Sequence, residues 1–227
     1  MTFGWFSFAW PWIGLGFAAV LIVLLFATNL LRGDTSTSRW SDLRWLSFLA
    51  IAAYLVHQVE EYGITPMGVR HAFPNTLCLT LGQPPYPACA IPPAFFLAVN
   101  ISLVWVAAPI AAFLSQRFQL AGLTLWGVIA VNAIAHTLPA LATQQYGAGL
   151  LTAVLIFVPL TAVATKALLA QRPVSSAFVL LAAGVFMHAV LGGGVSLFLR
   201  GEIAAWLVVA AQPVGIAIGY LSVGLRR

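Results

Sequence analysis

The chain has 227 residues, 62% of them hydrophobic and 7% charged, with a formal net charge of +5. Soluble domains are about 45–50% apolar and about 25% charged. This composition therefore excludes a cytosolic enzyme, a nucleic-acid-binding module and a disordered chain. The ten Lys and Arg residues form no cluster but punctuate long apolar runs, the pattern of an integral membrane protein.

Seven apolar runs reach about 20 residues, the length that crosses roughly 30 Å of hydrocarbon as a helix. They cover 10–31, 42–62, 92–115, 119–141, 147–169, 174–199 and 202–224. The expected fold is all-α, a polytopic transmembrane bundle. Only Arg200, Gly201 and Glu202 separate the last two runs, so six spans with a re-entrant hairpin is the alternative. No Lys or Arg precedes Arg32 and the first run is long, so it does not read as a cleavable signal. Trp5, Phe6, Phe8, Trp10 and Trp12 at its start read as an interfacial aromatic belt.

With seven spans, Arg32, Arg39, Arg44, Arg117, Lys166, Arg172, Arg226 and Arg227 fall on one side, and Arg70 and Arg200 on the other. The positive-inside rule makes the larger group cytoplasmic, so the N-terminus is expected outside and the C-terminus inside. Residues 63–91 then form an extracytoplasmic loop. Counted to Pro93, this region holds seven of the 13 prolines, which rule out a long regular helix and favour an ordered, extended cap. It also holds both cysteines, Cys78 and Cys89. On the oxidising side they are expected to pair, free thiols being the alternative. With no internal repeat or linker, residues 1–227 read as one membrane domain.

Ionisable residues inside spans carry the functional information, because each costs roughly 2.5–3.5 kcal/mol at mid-helix. The second run contains Tyr54-Leu-Val-His57-Gln58-Val-Glu60-Glu61-Tyr62. On a helix, His57, Glu60 and Glu61 project over one arc of about 100°. The fourth run carries Asn132 and His136 four apart, the sixth His188, the third Asn100, and the seventh Gln212. The span boundaries put all of these in the outer half of the bilayer, with His57 roughly 8 Å below its outer end.

Each residue has a bland reading. A lone intramembrane histidine is more often an interhelical hydrogen-bonder than a ligand, and Asn100 and Gln212 alone read as helix–helix glue. Gly192-Gly193-Gly194, after His188, reads as a close-packing face or a helix break. The conjunction is what points to a centre. Imidazoles and carboxylates on facing helices hold Zn, Mn or Fe in helical bundles. The candidate ligands of such a divalent metal are His57, Glu60, Glu61, His136 and His188. Asn132, Asn100, Gln212 and Tyr54 are candidates for the surrounding layer. No H-E-x-x-H signature is present. Without metal, neutral carboxylic acids beside histidines would serve acid–base chemistry or a proton relay.

The residues His57-Gln-Val-Glu60-Glu61, followed by Asn132-xxx-His136, resemble a family of mostly bacterial integral membrane proteins named for its H-x-x-E-E motif. That family also carries N-x-x-x-H. The resemblance runs from the second span through at least the fifth. It implies a multi-pass protein of the bacterial inner membrane and supports grouping the two motifs, but it implies no reaction. A Tyr-x-Pro-Gly-like element after the fourth span also belongs to the family pattern. Here the segment is Tyr146-Gly147-Ala148-Gly149, with Ala148 in place of Pro.

Three functions compete. The first is a metal-dependent intramembrane enzyme acting on a lipid or another apolar molecule, with whichever of Glu60 and Glu61 does not hold metal as general base. The second is a transporter or a proton or metal pathway, disfavoured by the lack of an inverted repeat. The third is haem binding through His57, His136 or His188. Membrane lipids are the expected partners; nucleic acid is not.

Overall fold

The computed structural model describes residues 4–221. They form an all-helical bundle with no strand among the described residues; an isolated bridge pairs Ile64 with Arg70. We label the helices α1 Phe6–Ala27, α2 Leu43–Gln58, α3 Ala72–Thr80, α4 Pro93–Leu114, α5 Gln119–Thr143, α6 Leu150–Leu169, α7 Val174–Leu199 and α8 Ala205–Leu221. Five of these, α1, α4, α5, α6 and α7, are long and apolar enough to cross a membrane. The α-helical part of α2 has 16 residues, continued by a π-helical turn at Val59–Gly63 that carries both carboxylates. At 17 residues, α8 is shorter than those five, and residues 222–224 of the expected last span lie outside the described residues.

The first span starts and ends four residues earlier than the hydropathy suggests. The aromatic segment is itself helical, and the helix stops at Thr28, whose hydroxyl bonds back to the Leu24 carbonyl. Arg39 folds back to donate to the carbonyls of Leu25 and Thr28, satisfying orphan acceptors at the helix end. On α1 only Trp10, Pro11, Gly14, Ala18 and Leu25 are buried; this stripe faces α2, and the other faces stay exposed.

Helix α2 lies at the centre, packed against α1, α4, α5 and α6 and buried along nearly its whole length. Asp42 caps it, accepting from the backbone of Arg44 and Trp45, an arrangement worth about 1 kcal/mol. The indole of Trp126 on α5 bonds the Leu46 carbonyl across the interface at 2.9 Å. Helices α4 and α6 each contain a π-helical stretch, Ile101–Ala107 and Ala153–Phe157, two residues before Pro109 and Pro159 respectively. A proline lacks the N–H that the helical ladder needs, and the register shifts in the turn before it.

Helices α5 and α7 cross where no side chain fits. A Cβ added at Gly127 would lie 1.8 Å from the Leu180 carbonyl oxygen, and one at Gly184 2.1 Å from that of Gly127. Such small-residue crossings let backbones meet. The Gly192–Gly194 run does not break α7, which is helical throughout Val174–Leu199. Of the three, Gly194 packs closely, against Val208 of α8.

The basic loops share one end of the bundle. Gln171 bonds the Ser41 carbonyl, Arg172 bonds Gln119, and one shallow cleft is lined by Gly33, Arg44, Gln116 and Gln171. Arg226 and Arg227 lie outside the described residues. At the other end, Phe95 near the start of α4 stacks on Phe198 near the end of α7. Residues 63–91 cover this end. They are less extended than the prolines suggest, since α3 forms with Pro74 in its first turn, where a missing N–H matters least. Cys78 of α3 and Cys89 are joined as a disulfide.

Candidate functional site

The π-helical turn after α2 decides what the two carboxylates face. His57 and Glu61, four residues apart, point together toward α5, where His136 meets them. His57 Nε2 lies 3.4 Å from Glu61 Oε2, and His136 Nε2 lies 3.1 Å from Glu61 Oε1. One ligand atom from each of His57, Glu61 and His136 lies within 4.8 Å of the others. His57 is fully buried, and its Nε2 has no hydrogen-bond partner. Phe157 packs against it with the rings tilted, 4.4 Å between centroids, and Phe157 also contacts Tyr54, closing the floor of the site.

Glu60 turns elsewhere, to the first turn of α6. Its Oε1 accepts from the Leu151 N–H at 3.0 Å and from the Tyr146 hydroxyl. Its Oε2 accepts from the Thr152 N–H at 2.8 Å and the Thr152 hydroxyl at 2.5 Å. A carboxylate against the free N–H groups of a helix start satisfies orphan donors and the helix dipole together. Thr152 Oγ1 also lies 2.6 Å from His57 Nδ1. Gly149 begins this turn with φ +84°, and a Cβ there would fall 2.7 Å from both imidazoles, so only glycine lets the backbone close over the two histidines.

A cavity of about 350 Å³ opens onto the group. Glu61, His136, Tyr54, Asn132 and His188 are among its polar lining residues, and Phe73, Pro139 and Leu191 among its apolar walls. Asn132 donates to the Tyr54 hydroxyl at 3.2 Å, while its Oδ1 is buried without a partner. His188 donates from Nδ1 to the Gly184 carbonyl at 2.8 Å, which leaves Nε2 as an acceptor when the ring is neutral.

The paired motifs His57-Glu60-Glu61 and Asn132-His136 thus build one centre from α2 and α5. A family described as proteins of unknown function with an HXXEE motif matches residues 48–164, just over half of the chain. The chain belongs to this HXXEE family. No curated protein and no solved structure matches it.

The two glutamates of the HXXEE motif have different surroundings. Glu61 joins His57 and His136 as a candidate ligand, whereas Glu60 is saturated by four donors and is not among the three grouped residues. His188 lines the cavity but is outside that group as well. Tyr54 and Asn132 stand beside the centre. Asn100 bonds Gln58 on another face of α2, and Gln212 bonds Val208 of its own helix. Sequence reasoning missed Thr152 and Gly149 as parts of the site and used Tyr146 only as a family landmark. The available signal was a glycine-rich turn before an apolar run, since a helix start is a natural partner for a buried carboxylate.

Proposed function

We propose that this protein is a metal-dependent intramembrane enzyme acting on a lipid or another apolar substrate. The observation that carries this reading is the grouping of His57, Glu61 and His136 behind a cavity that Glu61 and His136 line, with His57 Nε2 buried and without a hydrogen-bond partner. Two imidazoles and one carboxylate with further positions open suit Zn or Fe(II), and Mn remains within the ligand chemistry. A bound divalent ion would act as a Lewis acid and lower the pKa of a bound water. Glu60, saturated by donors, is a poor general base. His188 Nε2, on the cavity wall, takes that role. Asn132 Oδ1 is poised to accept from a hydroxyl or N–H of the substrate, whose apolar part rests against Phe73, Pro139 and Leu191.

We place this centre in the outer leaflet of a bacterial inner membrane, in a bundle of seven spans with the N-terminus outside. The gathering of the basic loops at the end away from the cap supports that orientation. The fully buried Phe157 and Ile129 support a closed reaction site over a transmembrane pathway.

The test is metal per chain for wild type, Glu61→Gln and His136→Ala, with thermal stability measured with and without chelator and a spectrum that detects haem. Bound metal in wild type that falls in both variants is expected. Wild-type protein that is metal-free as purified, stays so after Zn, Mn or Fe(II) is added, and ignores chelator defeats the proposal. Labelling an engineered cysteine after Arg227 from outside intact cells would overturn the orientation.

A further inference from the structure

The four contacts of Glu60 have a consequence for His57. Two of them, from the Leu151 and Thr152 backbone, can only donate, so the carboxylate acts as an acceptor on both oxygens. Thr152 has a single hydroxyl hydrogen. With its oxygen 2.5 Å from Glu60 Oε2 and 2.6 Å from His57 Nδ1, the hydroxyl donates to the carboxylate and accepts from the imidazole. His57 Nδ1 therefore carries a proton. In the neutral ring Nε2 is then bare, and it is the nitrogen that faces Glu61 at 3.4 Å with no hydrogen-bond partner. A lone pair and a carboxylate buried face to face repel, and a divalent cation between them relieves the repulsion, as a proton on Nε2 also would.

We propose that Glu60 is a positioning residue: acting through Thr152, it holds His57 with Nδ1 protonated and Nε2 presented, beside Glu61, to a divalent cation. This rests on the metal-site reading above. It assigns the two glutamates of the motif separate tasks, Glu61 binding and Glu60 orienting. Tyr146 supports the orienting task from the cavity side, because its hydroxyl bonds Glu60 and its ring borders the cavity. Gly149 supports it from above by pinning both imidazoles. Such outer partners of a ligating histidine set its tautomer and typically carry 10–100-fold in metal affinity.

The experiment uses full-length protein labelled with ¹⁵N-histidine, comparing wild type, Thr152→Val, Thr152→Ser and Glu60→Gln. Histidine ¹⁵N spectra report which ring nitrogen of His57 carries the proton, and a Zn²⁺ titration reports affinity. Wild type should show a protonated Nδ1 both metal-free and Zn-loaded. Thr152→Val keeps the size of the side chain and removes the hydroxyl. It should mix the tautomers and weaken Zn²⁺ binding by about 10–100-fold. Thr152→Ser should restore both, and Glu60→Gln should behave like Thr152→Val. Loss of packing alone would lower thermal stability without moving the tautomer. A bare Nδ1 in wild type, or Thr152→Val with wild-type spectra and affinity, overturns the proposal. If Thr152→Val fails to fold, Glu60→Gln decides alone by the same two readouts. Wild type that binds no Zn²⁺ but shows a protonated Nδ1 defeats the metal role of the device, while its hold on the imidazole stands on the spectra.

Discussion

Two faces of α2 bury polar groups at the same depth and make different use of them. On one face, His57 and Glu61 meet His136 beside a cavity, and Glu60 is held by the start of α6. On the face toward α1 and α4, Gln58 donates to Asn100 at 2.9 Å, and Asn100 donates to the Phe96 carbonyl. The second group consists of amides, neutral at every pH, and does not line the cavity. The first concentrates imidazoles and carboxylates around an orphaned nitrogen. Buried polarity alone therefore does not mark a site. The marks are titratable groups and an open space next to them; an unsatisfied buried atom is not a mark by itself, since Gln58 Oε1 on the amide face also lacks a partner.

The contrast is tested most severely by Glu61→Gln. The carboxylate shared by both histidines becomes an amide, and Zn²⁺ affinity should fall by more than roughly 100-fold, beyond the range of outer partners. Metal retained at wild-type levels would erase the distinction between the two faces. Gly149→Ala comes next. The left-handed backbone adds roughly 1–2 kcal/mol of strain, and the new methyl displaces both imidazoles. Thermal stability and bound metal should drop together, and stability falling alone would show that the wedge does not position the ligands.

On the amide face, Gln58→Leu leaves the Asn100 oxygen without its donor and should destabilise by about 1–3 kcal/mol. Bound metal should not change; a loss comparable to that of Glu61→Gln would show that the two faces act as one network. The smallest effect is expected for Gln58→Leu combined with Asn100→Leu. Removing both partners should cost less than removing Gln58 alone, because the amide pair is lost together, although Tyr62 loses its Asn100 contact. Thermal denaturation of the single and double variants gives the coupling directly.

Composition and hydropathy alone made the helical membrane character legible, because each long run is a local property of the chain and 20 apolar residues leave few alternatives in lipid. The helix boundaries shifted only where a side chain or turn intervened, as at Thr28 and at Gly147–Gly149. The four-residue spacings also put His57 with Glu61 and Asn132 with His136, since helical periodicity alone sets which neighbours share a face. The fate of Glu60 was not legible. Adjacent carboxylates look alike in sequence, and the π-helical turn and the crossing of α2 with α6 decide that one meets a histidine and the other a helix start. Thr152 and Gly149 lie about 90 residues further along the chain, and no local pattern links them to His57. Only the packed bundle brings that backbone turn over the imidazoles, because the partner of a buried polar group is set by which helices touch rather than by what lies nearby in sequence.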